Sequence, residues 1–201
     1  MSANLPPALR SLALCKVAIW SGDWRKFAME VRHARSAGFA RADYEETLLQ
    51  AVLFFGFPRV VSAFELLQQE WPTPIEPCGG ALPDADQATA GHALFDSIYG
   101  RNQAAVHALL RGFHGEFHDF VLEAAYGWIL ARSGLAPLVR ELLAAAALAA
   151  LQQIPQLVAH SRGALHFGAS EAQLAEMLAI GGLGVAQAKQ ILARITGASS
   201  S

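Results

Sequence analysis

Glu141 and His160 are the two side chains best placed in the sequence to move a proton together. They flank a turn expected near residue 152. On two antiparallel helices rising about 1.5 Å per residue they sit about one helical turn out of register, an offset of roughly 6 Å. A direct or water-bridged contact is within reach. A carboxylate beside an imidazole orients the ring and favours its charged form, which suits proton transfer near neutral pH. A helix-borne His and a Glu opening a helix also have plain structural readings, the second through the helix dipole.

Other groups point less far. In GFHGEFHDF, His114, Glu116 and His118 place two imidazoles four residues apart, with His107 upstream. The order is not His-Glu-x-x-His and no third ligand is set by spacing, so a solvated polar face is expected and no metal. Cys15 lies in an apolar helical pattern and Cys78 in a Pro/Gly-rich loop. They read as a buried small hydrophobe and a loop thiol, not as a redox pair. Gly181, Gly182 and Gly184 follow no strand, so they mark a helix break and not a phosphate loop.

The elements that must position these residues are helices. Ala, Leu, Glu and Gln dominate, β-branched residues are sparse, and apolar spacing is helical almost throughout, so the predicted class is all-α. Spacing predicts helices over about 6–20, 24–37, 41–54, 57–70, 86–98, 101–111, 114–131, 136–151, 155–167, 171–180 and 184–196. Asp23 and Ser170 suit N-caps, Pro155 a first turn, and Gly38 and Gly168 left-handed stops. Between Trp71 and Asp84, Pro72, Pro74, Pro77 and Pro83 with two glycines exclude a regular element. The expected organisation is therefore an N-terminal repeat over 1–70, a linker over 71–84 and a C-terminal repeat over 85–201.

Sliding the chain by 130 residues pairs Arg10 with Arg140, Leu12 with Leu142, Arg32 with Arg162, Ala34 with Ala164, Gly38 with Gly168, Ala42 with Ala172, Glu46 with Glu176 and Leu48 with Leu178. The same helix, turn and helix pattern recurs in register, which reads as a degenerate internal duplication.

Composition narrows the partners. Of 201 residues 53% are hydrophobic and 16% charged, so the chain buries a sizeable core. Fifteen Lys and Arg against seventeen Asp and Glu leave a net charge of −2, without the basic excess that nucleic acid or an anionic membrane surface calls for. The longest uninterrupted apolar run, Leu142 to Leu151, falls short of the roughly 20 residues that span a bilayer. The opening MSANLPPALR shows no targeting pattern, so a cytoplasmic location is expected.

The stretch RELLAAAALAALQQIPQLVAHSRGALHFGASEAQLAEMLAI resembles the carboxymuconolactone decarboxylase domain of the alkylhydroperoxidase-D-like superfamily. The resemblance rests on Arg140 and Glu141 opening an Ala/Leu-rich helix, the Gln152-Gln153 turn, His160, Gly168, and Glu171 with Glu176. YGWILARSGLAPLVRE from Tyr126 and GFPRVVSA from Gly56 extend it. It implies an alkylhydroperoxidase-D-like helical bundle and self-association as a homo-oligomer, a trimer or a hexamer. Peroxidase members carry a Cys-x-x-Cys where this chain has Gln153 and Gln156, and no glutamine can serve as a thiolate nucleophile. The first repeat has Ser11 and Glu30 in place of Glu141 and His160.

The decarboxylase resemblance implies loss of carbon dioxide from a small carboxylated lactone or related ring acid, without metal or organic cofactor. His160 would be the proton donor and Glu141 its orienter. Arg162 near His160, or Arg140 beside Glu141, would meet the anionic substrate, although both also suit helix pairing. The alternative is a redox-related superfamily member that has lost its thiols and keeps a binding or assembly role.

Overall fold

Capping residues set several helix boundaries in the computed structural model, which describes residues 4–74 and 82–197. The helices are α1 (Pro7–Ser21), α2 (Trp24–Ser36), α3 (Arg41–Glu70), α4 (Asp84–Tyr99), α5 (Gln103–Phe113), α6 (Gly115–Phe120), α7 (Pro137–Ala150), α8 (Ile154–His166), α9 (Glu171–Ile180) and α10 (Val185–Thr196). Among the described residues there is no strand. The Asp23 carboxylate accepts from the Lys26 amide at 3.0 Å, and Ser170 forms a reciprocal capping box with Gln173. Gly38 and Gly168 take φ of +72° and +98° just beyond α2 and α8, where a side chain would be strained.

The structure departs from the expected elements in two places. Helices expected over 41–54 and 57–70 are the two arms of α3, bent at Gly56 (φ +74°, ψ 170°), with Pro58 just beyond the bend. By length and composition α3 could cross a membrane, yet Tyr44, Leu48, Ala51, Val60, Ala63 and Leu67 along it are buried in the core. The helix expected over 114–131 is α6 running into a π-helical segment, Val121–Leu130. This segment is pressed against α4. A Cβ on Gly91 would overlap the Leu122 carbonyl and the Gly127 amide, and one on Gly127 would overlap the Gln87 carbonyl. Residues 75–81 of the expected linker, with Cys78, lie outside the described residues.

Helix starts recur at one interval: Pro7 and Pro137, Trp24 and Ile154, Arg41 and Glu171. The equivalent helices α1 and α7 pack on each other at the centre, where Leu12, Ala13, Ile19 and the run Ala144 to Ala147 are buried. Small side chains on α7 let its neighbours approach on several sides. Charges cross between the halves reciprocally. Arg140 of α7 pairs with Glu46 of α3, and Arg10 of α1 pairs with Glu176 of α9. Because Arg10 corresponds to Arg140 and Glu46 to Glu176, each half supplies the carboxylate for the other half's arginine. This is the contact pattern of a two-fold arrangement of repeats within one chain.

Candidate functional site

The α7–α8 hairpin builds the site. Gln152, with φ of +58°, and the Gln153 amide bonded to the Leu148 carbonyl at 3.0 Å reverse the chain. That register brings His160 Nδ1 to 3.0 Å from Glu141 Oε2. Glu141 is fully enclosed, while His160 keeps 8% of its surface exposed. Gly163 makes room for this contact, since a Cβ there would overlap Glu141 Oε2. In the first half Ser11 Oγ donates to Glu30 Oε2 at 3.2 Å and accepts from Tyr44 Oη at 2.8 Å. The two halves therefore make equivalent contacts, and only the second retains an imidazole.

Aromatic and basic side chains close around the pair. The Phe54 ring lies edge-on to His160 with centroids 6.5 Å apart, and Lys16 Nζ sits 4.6 Å from the same ring's centroid. Lys16 on α1 is completely buried, and its Nζ has no hydrogen-bond partner among the described residues. Burial first, then the Arg140 charge, hold this amine well below its ordinary range, with Glu141 opposing them. Tyr126 Oη donates to Tyr99 Oη at 3.4 Å. Burial pushes both phenols up, and the nearby Glu141 carboxylate adds to it.

The two arginines expected beside the pair are placed differently from each other. Arg140 donates through Nη2 to Glu46 Oε2 at 2.7 Å and to the Arg132 carbonyl at 3.1 Å, and its buried Nε and Nη1 have no partner among the described residues. Arg132 grips the same carboxylate with Nε and Nη2 at 2.7 to 3.0 Å. Burial pushes the Glu46 carboxyl up, but hydrogen bonds and charge from Arg132 and Arg140 outweigh it and hold the group below its usual value. Arg162 is exposed and donates to the Arg194 carbonyl at 3.2 Å. Two residues along a helix turn the side chain by about 200°, which carries Arg162 away from the face holding His160.

The remaining candidates resolve simply. Gln153 and Gln156 are exposed. Cys15 is buried, and burial pushes its thiol far above the ordinary range. His114 and Glu116 face solvent, whereas His118 is buried and turns to His107, with Nε2 to Nδ1 at 2.9 Å. Asp96 and Asp119 hold the outer nitrogens of that pair at 3.1 and 2.8 Å. Among the described residues no group of three or more such ligands is arranged for a metal ion. A cleft of about 510 Å³ between α4, the π-helical segment and the start of α7 is lined by residues including Leu94, Ser97, Leu130 and Phe167, and by neither Glu141 nor His160.

Lys16 and the tyrosines were not singled out from the sequence. The signal for Lys16 was available: it is a lone charge in SLALCKVAIW, with Leu12 and Ile19, four before and three after it, on the same face. Nothing comparable marked Tyr99 of α4 or Tyr126 of the π-helical segment, on whose phenols the Glu141 charge acts.

A family model described as the carboxymuconolactone decarboxylase family matches residues 1–69 and 115–193, which is most of the chain. The two matched segments fit an internal duplication, and α4 and α5 fall between them. Peroxisomal protein 2 of Schizosaccharomyces pombe (strain 972 / ATCC 24843) is 29% identical over 132 residues, covering 64% of this chain and 62% of that protein. The chain thus spans less than two thirds of the length of that relative.

Proposed function

The chain belongs to the carboxymuconolactone decarboxylase family, and from that premise we propose a cofactor-independent decarboxylase or related carbon–carbon lyase acting on a small carboxylated lactone or ring acid. The observation that carries this reading is the 3.0 Å contact between His160 Nδ1 and Glu141 Oε2. With Nδ1 held by the carboxylate, Nε2 is the nitrogen that faces a ligand. The C–CO₂ bond of the bound carboxylate breaks, its electron pair moves onto the ring carbon as a carbanion or enolate, and the Nε2 proton of the imidazolium is transferred to that carbon. Carbon dioxide leaves. The imidazole, now neutral with its proton on Nδ1 toward Glu141, regains the lost proton from water. Glu141 holds the ring orientation through the cycle and touches no reacting atom, so it is a positioning residue.

The experiment follows the ultraviolet absorbance of carboxymuconolactone incubated with purified protein, beside a His160→Ala variant of unchanged helicity and oligomer size. The expected result is turnover that falls by about 10²–10⁴-fold in the variant, the usual worth of a general acid. No turnover by folded wild-type protein would remove the parent decarboxylation.

A further inference from the structure

We infer that Lys16, with the unpaired Nε and Nη1 of Arg140, forms an anion-binding subsite beside the His160–Glu141 pair that receives the carboxylate of the ligand. The inference deepens the decarboxylase reading and rests on it for the nature of that ligand. Lys16 Nζ, Arg140 Nε and Arg140 Nη1 are all buried without a hydrogen-bond partner among the described residues. The two guanidinium nitrogens are donors that cannot accept, and Lys16 Nζ joins them once protonated, so what the group lacks is an acceptor. A buried donor left unpaired is costly, and such groups are rare in folded proteins. Here they belong to two buried side chains on helices α1 and α7, which pack together. Lys16 Nζ lies 4.6 Å from the centroid of the Phe54 ring that packs edge-on to His160, which places it at the site.

A carboxylate seated against Lys16 Nζ favours the charged form of the amine, which burial otherwise disfavours. Anion binding is therefore linked to uptake of a proton. The groups around Lys16 on the neighbouring elements are Arg140, Glu141 and Phe54 at the site, with Glu30 of α2 nearer Cys15, and Glu176 of α9 committed to Arg10. His160 lies behind the same Phe54 ring, so the test separates it from Lys16.

The test titrates full-length protein with acetate and with a γ-lactone bearing one carboxylate, by calorimetry at about pH 7.5 in two cationic buffers of different ionisation heat, with γ-butyrolactone as neutral control. The wild type should take up close to one proton per carboxylate, and the affinity should fall by about ten-fold per pH unit as pH rises through the linked window. Lys16→Met should bind at least about ten-fold more weakly and take up no proton, since a proton linkage is lost with its group. His160→Gln should keep the uptake. Uptake that survives in Lys16→Met, or is lost only in His160→Gln, overturns the assignment. Absence of binding by both carboxylates at millimolar concentration overturns it as well. Binding with uptake in a protein that shows no turnover leaves the subsite standing while the decarboxylase reading falls, and turnover indifferent to Lys16→Met does the reverse.

Discussion

Replacing Glu46 by Gln and, separately, Glu176 by Gln compares one ion pair in two environments within the same molecule. The substitution keeps shape and removes charge. Glu46 is 2% exposed and its partner Arg140 1%, whereas Glu176 and Arg10 are 23% and 54% exposed. Removing one member of a buried pair leaves an uncompensated charge out of water and costs about 3–5 kcal/mol. Here two guanidiniums, Arg132 and Arg140, lose their shared carboxylate. An exposed pair contributes about 0–1 kcal/mol. For a chain of this size about 1 kcal/mol shifts Tm by roughly 2–4 °C, so Glu46→Gln should lower Tm by roughly 6–20 °C and Glu176→Gln by less than roughly 4 °C. Thermal unfolding followed by far-ultraviolet circular dichroism reads both. The pH dependence supplies a check of sign. The Glu46 carboxyl is held below its ordinary 4.5, so its stabilisation is present above that value and is lost as pH falls through the lower folded value. The gap between wild type and Glu46→Gln should therefore close in acid. Equal losses for the two variants at neutral pH would refute the reasoning that burial, and not the pairing itself, sets the cost.

Lys16→Met should raise stability at neutral pH by about 1–3 kcal/mol, the penalty of an unpaired buried polar group. The unfolded chain protonates Lys16 below about 10.5 while the folded amine stays neutral to a lower pH, so the gain in denaturant unfolding should shrink as pH rises toward 10.5. Gly91→Ala should destabilise by about 1–3 kcal/mol, because its Cβ meets the backbone of the π-helical segment at Leu122 and Gly127, and backbone there cannot rotate away. Calorimetric unfolding unchanged by Gly91→Ala would remove the close α4 approach. Gly163→Ala should leave the fold intact and lower turnover of a carboxylated lactone by about ten-fold or more, since its Cβ displaces the Glu141 carboxylate that orients His160; an unchanged rate would deny Glu141 its positioning role. Self-association with a second copy is expected through Leu109 and Phe113 of α5 and Phe117 and Phe120 of α6, all exposed. Light scattering should show an oligomer that Phe113→Glu dissociates, and a monomeric wild type would end that expectation.

Much of the helical layout was legible in the sequence because it is written in local chemistry. Asp23, Ser170, Gly38 and Gly168 cap or stop helices through bonds to their own neighbours. The meeting of Glu141 and His160 was legible for a similar reason, since the length of one turn fixes the register of the two helices it joins. The π-helical segment was not, because what faces it is the backbone of α4, a contact between parts of the chain that no local pattern announces. Arg162 shows the opposite difficulty: two residues from His160 in sequence, it lies nearly half a turn away around the helix. Glu46 stood out in the sequence only as a mark of repetition. Its partners became visible when the halves docked, as did the isolation of Lys16, whose burial depends on α1, α3 and α7 together.

The crossed pairs of Arg10 with Glu176 and Arg140 with Glu46 bear on how such a chain can change over generations. Each repeat holds half of a lock whose other half is encoded far away in the same gene. A mutation at Glu46 is felt on the helix that carries Glu141, so the repeats cannot drift as two independent lineages. Yet Ser11 and Glu30 differ from Glu141 and His160 without disturbing the lock. The residues that join the halves are not those of the Glu141–His160 contact, so one half can carry an imidazole there while its twin carries Glu30 and the two remain locked.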